Sequence, residues 1–282
     1  MMRRFISSVS LGICVCALSP PTVRAQANQT INAAGAPPNI LNVVHQPLIP
    51  GKGSAYSQLL HRIAETYEQA QIPVYWIQSQ SFTGPYEEMS LNFFDSFADA
   101  ERVSNNLVQA AASRPGLAQM QEQLLACVSS ITNAIAFRRD DISYRASSID
   151  FSKARILRVA TVLVRQGHEA EFAEAIKGLR GAYERLNANA FWVTYQVNAG
   201  APSTTFVILM PMRSLREMDD YIARTGQLPD AEGPAIASRL QEIARNAYVS
   251  WDSELYVADA SASHVSREFA AGDPQFWQSA KH

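Results

Sequence analysis

Residues 51–78 align without a gap onto residues 167–194, an offset of 116. Gly51 meets Gly167, Tyr56 meets Phe172, Leu60 meets Ile176 and Ile63 meets Leu179. Tyr67-Glu68 meets Tyr183-Glu184, and Tyr75-Trp76-Ile77 meets Phe191-Trp192-Val193. Ser96 and Ser214 match at offset 118, and Asp140, Tyr144 and Ala146 match Asp252, Tyr256 and Ala258 at offset 112. Matches spread over a span this long mean that one supersecondary unit occurs twice in the chain.

Each copy reads in the same order. Ile40–Leu48 alternates as a strand, and Pro50-Gly51-Lys52-Gly53 turns into a helix. In that helix Tyr56, Leu59, Leu60, Ile63, Tyr67 and Ala70 form one apolar stripe at helical spacing. Val74–Gln80 and Glu88–Phe94 follow as strands, and Ser96 is positioned to cap a helix over Phe97–Ala112. A further helix is predicted to run to about Ala136, and Ile142–Ala146 is predicted as the fourth strand. The second copy has strands at Ile156–Val164, Phe191–Val197, Thr205–Met210 and Trp251–Val257. Its helices fall at Glu169–Leu186, from Leu215, and at about Ala235–Ala247.

The order β-α-β-β-α-(α)-β gives a four-stranded antiparallel sheet with helices on one face, the ferredoxin-like arrangement. Such a sheet leaves its other face bare, and two copies can cover those faces by packing sheet to sheet. On element order and the strand–Pro/Gly turn–helix opening, residues 40–259 resemble the dimeric α/β-barrel superfamily, which includes antibiotic-biosynthesis monooxygenases and NIPSNAP-type proteins. The resemblance implies an α+β protein of two tandem ferredoxin-like βαββαβ units, with both subunits of the usual dimer in one chain. Residues 40–147 and 154–259 are the two repeats, and 260–282 is an aperiodic, loosely attached tail in which Phe269, Phe276 and Trp277 could dock. The chain is then expected to be monomeric, since the usual dimer is already contained in it.

Residues 1–25 carry Arg3-Arg4, the apolar run Phe5–Leu18 and Val23-Arg24-Ala25, the pattern of a signal peptide cleaved after Ala25. Residues 26–39 are small, polar and Pro-tipped, a flexible linker. The apolar run is too short to cross roughly 30 Å of hydrocarbon, so a secreted or periplasmic protein with no membrane attachment after cleavage is expected. Cleavage leaves Cys127 as the sole cysteine, and the fold must rest on its core rather than on a disulfide. The formal net charge of −2 is well mixed and no Lys/Arg tract is present, which argues against a nucleic-acid partner.

Alternation assigns side chains to faces. Tyr75 and Ile77, like Phe191 and Val193, are expected to pack on helices. The opposite face carries Trp76 and Gln78, and Trp192, Thr194 and Gln196. With Asn42, Asn92, Arg158 and Tyr256 these residues outline an aromatic pocket between the sheets, holding a few amides and one cation. Arg158 could serve an anion there, pair with Glu254, or sit at an exposed strand edge. Trp76 and Trp192 could instead be core, and Tyr144 and Tyr256 suit either role. The five histidines show no ligand spacing, so no metal and no cofactor are expected. Haem-binding relatives implied by the resemblance use a helical histidine, and no residue here is marked for that role. No G-x-S-x-G motif or nucleophile triad occurs.

Three functions follow. The first is an exported protein binding a small, partly apolar molecule in the inter-sheet pocket. The second is a cofactor-independent monooxygenase-like enzyme, implied by the resemblance. The third is a non-catalytic scaffold for another exported protein. The copies agree at core positions and differ at polar ones: Asn42 against Arg158, Gln78 against Thr194, His61 against Lys177. The scaffold is therefore symmetric and the site asymmetric, with the Arg158 side slightly favoured.

Overall fold

In the computed structural model, which describes residues 37–227 and 234–278, three pairs of left-handed residues stand 116 positions apart. They are Gly51 and Gly167 (φ 81° and 88°), Gln71 and Asn187 (51° and 44°), and Gly84 and Gly200 (80° and 92°). Each pair marks the same event in each half: entry to the first helix, exit from it, and the hairpin after it. Left-handed backbone is costly for most residues, so its recurrence at one spacing shows that the halves repeat their chain path as well as their sequence. At Gly200 a side chain is also impossible for a second reason, because a Cβ would lie 2.0 Å from the Asn133 carbonyl oxygen.

The first half runs β1 (Ile40–Pro47), α1 (Gly53–Gln69), β2 (Trp76–Ser81), β3 (Glu87–Phe94), α2 (Phe97–Ser113), α3 (Pro115–Leu125) and β4 (Thr132–Arg138). The second runs β5 (Ile156–Val164), α4 (Glu169–Arg185), β6 (Val193–Ala199), β7 (Thr205–Met212), α5 (Arg216–Thr225), α6 (Pro234–Ala247) and β8 (Tyr248–His264). Two short helices, α7 (Arg267–Ala270) and α8 (Pro274–Trp277), end the described chain. The eight strands close into one barrel in the order β1-β3-β2-β8-β5-β7-β6-β4, every neighbour antiparallel. Each half contributes four consecutive strands, β4-β1-β3-β2 and β8-β5-β7-β6, and the joints β2–β8 and β4–β6 close the ring. Closure leaves no sheet edge unpaired, which removes the usual route to strand-mediated aggregation.

Three apolar cores result. Inside the barrel, Leu41, Val43, Ile77, Met89, Leu91, Phe93, Leu157, Val159, Val193, Tyr195, Val207, Leu209 and Tyr256 are all buried in one cluster. Outside it, α1–α3 pack on the first half through Tyr56, Leu60, Ile63, Tyr67, Trp76 and Phe94. On the second half Phe172, Ile176, Tyr183, Trp192, Phe206 and Ile243 form the third core. Side chains of this cluster thus occupy the space between the sheets, and the two apolar-lined pockets found among the described residues lie between sheet and helices instead of between the sheets. The face assignment was inverted as well: Ile77 and Val193 point into the barrel, while Trp76 and Trp192 point under the helices.

Two other expectations change. The fourth strand of the first half is Thr132–Arg138, and the segment predicted as that strand forms a 3-10 turn and a single bridge from Tyr144 to Trp192. Ile40 faces Phe137 and its counterpart Ile156 faces Val257, so the fourth strands correspond at an offset of 120 rather than 112. The tail is docked rather than loose. β8 continues past Ala260 to pair with β2, and Phe269 and Trp277 are buried against the barrel core. Trp277 Nε1 donates to the Ser152 carbonyl at 2.6 Å. The segment expected to be a signal peptide, and most of the linker, lie outside the described residues. At the linker's end Pro38 accepts a hydrogen bond from the Tyr195 hydroxyl at 2.9 Å. Among the described residues no helix is long and apolar enough to cross a membrane.

Candidate functional site: paired pockets between sheet and helices

The strand residues that face the helices make the floor of a pocket in each half. In the first half the floor is Asn42, Val44 and Gln46 from β1 with Ser90, Asn92 and Phe94 from β3, and Trp76 closes one side. α1 supplies Tyr56, Leu60, Ile63 and Tyr67 as the roof, with Val103 and Leu107 of α2 and Gln121 and Leu124 of α3. The space is ≈ 710 Å³ with its open mouth and the solvent before it included, around a cavity of ≈ 50 Å³.

Asn42 and Asn92 stand directly opposite each other in the β1–β3 ladder. Each is only 7% exposed. Neither side chain is hydrogen-bonded to a described residue, in contrast to the polar groups around them. Two buried amides without protein partners, on the floor of an apolar pocket, offer a paired donor and acceptor to whatever enters.

The pocket's polar end is tightly bonded. Tyr56 donates to Gln46 Oε1 at 2.6 Å, and Ser90 donates to Gln78 Oε1 at 2.5 Å. Gln78 Nε2 and Gln80 Nε2 donate to the Glu88 carboxyl at 2.8 and 3.2 Å. Glu88 is buried, and desolvation pushes its carboxyl up to about 7 against the lowering effect of the Gln78 hydrogen bond. Burial also raises the Tyr56 hydroxyl above its ordinary value, with the Glu88 charge adding to the effect.

The second pocket repeats the first. Arg158 and Met210 take the places of Asn42 and Asn92, facing each other across β5–β7. Ile176, Leu179, Tyr183 and Trp192 replace Leu60, Ile63, Tyr67 and Trp76 at offset 116. Ile208 and Tyr221 replace Ser90 and Val103 at offset 118, matching the longer hairpin. Arg158 donates to Ser253 Oγ at 2.8 Å and lies 4.4 Å from the centre of the Tyr221 ring. It does not pair with Glu254, whose carboxylate instead accepts from Tyr256. Trp192 Nε1 donates to the Ile142 carbonyl at 2.9 Å, as Trp76 Nε1 does to Ala262 at 2.8 Å.

The eight residues singled out from the sequence therefore fall in three places. Asn42, Trp76 and Asn92 line the first pocket, with Gln78 fully buried beside it. Arg158 and Trp192 line the second, while Thr194 is buried behind it, bonded to the Ile142 carbonyl. Tyr256 belongs to the barrel interior. Its hydroxyl lies 2.6 Å from Glu87 and 2.7 Å from Glu254, and His45 Nδ1 lies 2.7 Å from the same Glu87 carboxylate. Burial alone would raise Glu87, but the bonds from His45 and Tyr256 outweigh it and hold the carboxyl below its ordinary value. Sequence reasoning missed Tyr56 and Tyr67 in the first pocket and Tyr221 and Arg224 in the second, and it read Glu88 as a solvated strand end, whereas it is buried behind Ser90 and Gln78. The signal was present in α5, where Met218, Tyr221 and Arg224 fall on one helical stripe. No cluster of His, Cys, Asp and Glu able to hold a metal occurs among the described residues.

Two solved structures share the barrel. A monooxygenase candidate from Fusobacterium nucleatum subsp. nucleatum has a TM-score of 0.51 at 10% identity, over 79% of this chain and 93% of its own. An anthrone oxidase-like protein has a TM-score of 0.50 at 12% identity, over 80% of this chain and 93% of its own. The chain has the dimeric α/β-barrel, ferredoxin-like type of fold. No protein-family model matches it, and no curated protein is significantly similar.

Proposed function

We propose that this protein binds a small, partly apolar molecule between sheet and helices in its first half. The observation that carries the reading is the opposed Asn42–Asn92 amide pair, buried and with no hydrogen bond to a described residue, on a floor whose other polar groups, Gln46 and Ser90, are already bonded. A planar ligand with one hydroxyl or carbonyl would lie along Trp76 and Tyr67 and direct its oxygen to the amides. The reading is tested by titrating 1-naphthol and 1-methylnaphthalene, which replaces the hydroxyl with a methyl group, and following tryptophan fluorescence. The naphthol should bind at least tenfold more tightly, and Asn42→Leu with Asn92→Leu should abolish that preference. Equal binding of the two compounds to the wild-type chain would overturn it.

A second reading, a cofactor-independent monooxygenase-like enzyme, is favoured by Glu88 and by the fold shared with the Fusobacterium structure. A substrate that reduces O₂ directly after losing a proton needs a base, and a carboxyl near neutrality joined to the pocket-lining Ser90 through Gln78 is suited to receive that proton by relay. Anthrone is a fair probe: with O₂ it would give anthraquinone and water. Oxygen uptake with anthrone that is lost in Glu88→Gln supports the enzyme, and no uptake above the uncatalysed rate leaves binding alone.

In this reading the chain is two fused ferredoxin-like units, a monomer exported after cleavage behind Ala25. It has no nucleic-acid partner and no membrane attachment. Mature protein recovered from the exporting cell should begin at Gln26. An intact N-terminus would contradict export by this route.

A further inference from the structure

We propose that the second-half pocket is a separate carboxylate site, taking a small aromatic acid through Arg158 and Arg224. α5 has no buried residue, yet Glu217, Met218, Tyr221 and Arg224 on its inner stripe all line the pocket over β5 and β7. This stripe brings Arg224 towards the space that Arg158 enters from the sheet. Arg224 Nε is buried and has no hydrogen-bond partner, and Arg224 makes no ion pair among the described residues. Arg158 has only the Ser253 hydroxyl, the Met210 sulfur at 3.5 Å and the Tyr221 ring. The one acid lining this pocket, Glu217, accepts from the backbone N–H of Arg213 at 3.2 Å and is ion-paired with neither arginine.

Two partly buried guanidinium groups line this one pocket, and the buried Arg224 N–H without a partner is the group that an anion would satisfy. A carboxylate suits them because the guanidinium fork matches its two oxygens. The rest of the lining selects the body of the ligand. Trp192, Tyr183, Ile208 and Trp251 present flat or apolar surfaces, so an aromatic acid fits better than a short aliphatic or phosphorylated one. In the first pocket Val103 stands where Tyr221 does and Asn42 where Arg158 does, so the two sites should prefer different ligands.

The test is calorimetric titration of the full chain with 2-naphthoate and with 2-naphthamide, its neutral counterpart of equal shape. The acid should bind at least tenfold more tightly than the amide. Arg224→Gln and Arg158→Gln should each remove that preference, while binding of 1-naphthol to the first pocket stays unchanged. The Arg224 side chain makes no hydrogen bond or ion pair among the described residues, so its variant remains informative if Arg158→Gln is unstable. An acid that binds no better than the amide, or a preference untouched by Arg224→Gln, would overturn the proposal without bearing on the first pocket.

Discussion

Asn42 and Arg158 occupy the same register position in two copies of one scaffold, and the difference between them sets the character of each pocket. Such asymmetry was readable from the sequence, because a repeat makes every unlike pair conspicuous. Its location was not. Strand alternation separates two faces, but in a closed barrel roofed by helices both faces are covered, so alternation cannot say which points inward. The informative sign was strictness. Leu41, Val43, Met89, Leu91 and Phe93 form an unbroken apolar run inside the barrel that turns polar only at its His45–Glu87 end, whereas Asn42, Ser90 and Asn92 mix polar with apolar throughout and lie under helices. Glu88 adds a pH dependence. Its folded carboxyl titrates at about 7, above its ordinary value, so the folded protein holds this proton more strongly than the unfolded chain. The cost of burying its charge is therefore absent at low pH and grows as pH rises from about 4.5 to about 7. Glu88→Gln should gain on the wild type by roughly 2–3 kcal/mol between pH 4.5 and pH 8. Parallel urea denaturations of the two proteins would measure this, and a difference constant with pH would show that the carboxyl is not raised.

Elements with a complete local signal were legible. β1, α1, α4 and the cap of α2 carry their own stripes, glycines and Ser96, whose hydroxyl accepts from the Asp99 N–H. β4 has no such signal. Thr132–Arg138 is a strand because β1 and β6 bond to it from both sides, and both ladders depend on partners far away in sequence. The end of the chain was misread for a similar reason. Ala260–Trp277 has no period because it follows the barrel wall and then plugs one end of it. Trp277 sits within 5.1 Å of the Phe269 ring centre and is 1% exposed. Trp277→Ala should destabilise the protein by about 3–5 kcal/mol, although it lies beyond the repeat. A thermal melt within a degree of the wild type would mean that the tail does not hold the barrel closed.

At the scale of the molecule, closure of the eight strands into one barrel decides where ligand space lies. Two four-stranded sheets share an interior filled by an apolar cluster, and among the described residues an apolar-lined pocket opens in each half where the sheet meets its own helices. The two pockets are therefore equivalent by construction and can diverge side chain by side chain without disturbing the common core. A crystal structure of the protein soaked with 1-naphthol tests this placement. The account predicts density over the first-half floor, with the hydroxyl within hydrogen-bond distance of Asn42 or Asn92 and the barrel interior unchanged. Naphthol seated between the two sheets, or on the outer surface away from the helix-covered floor, would contradict it.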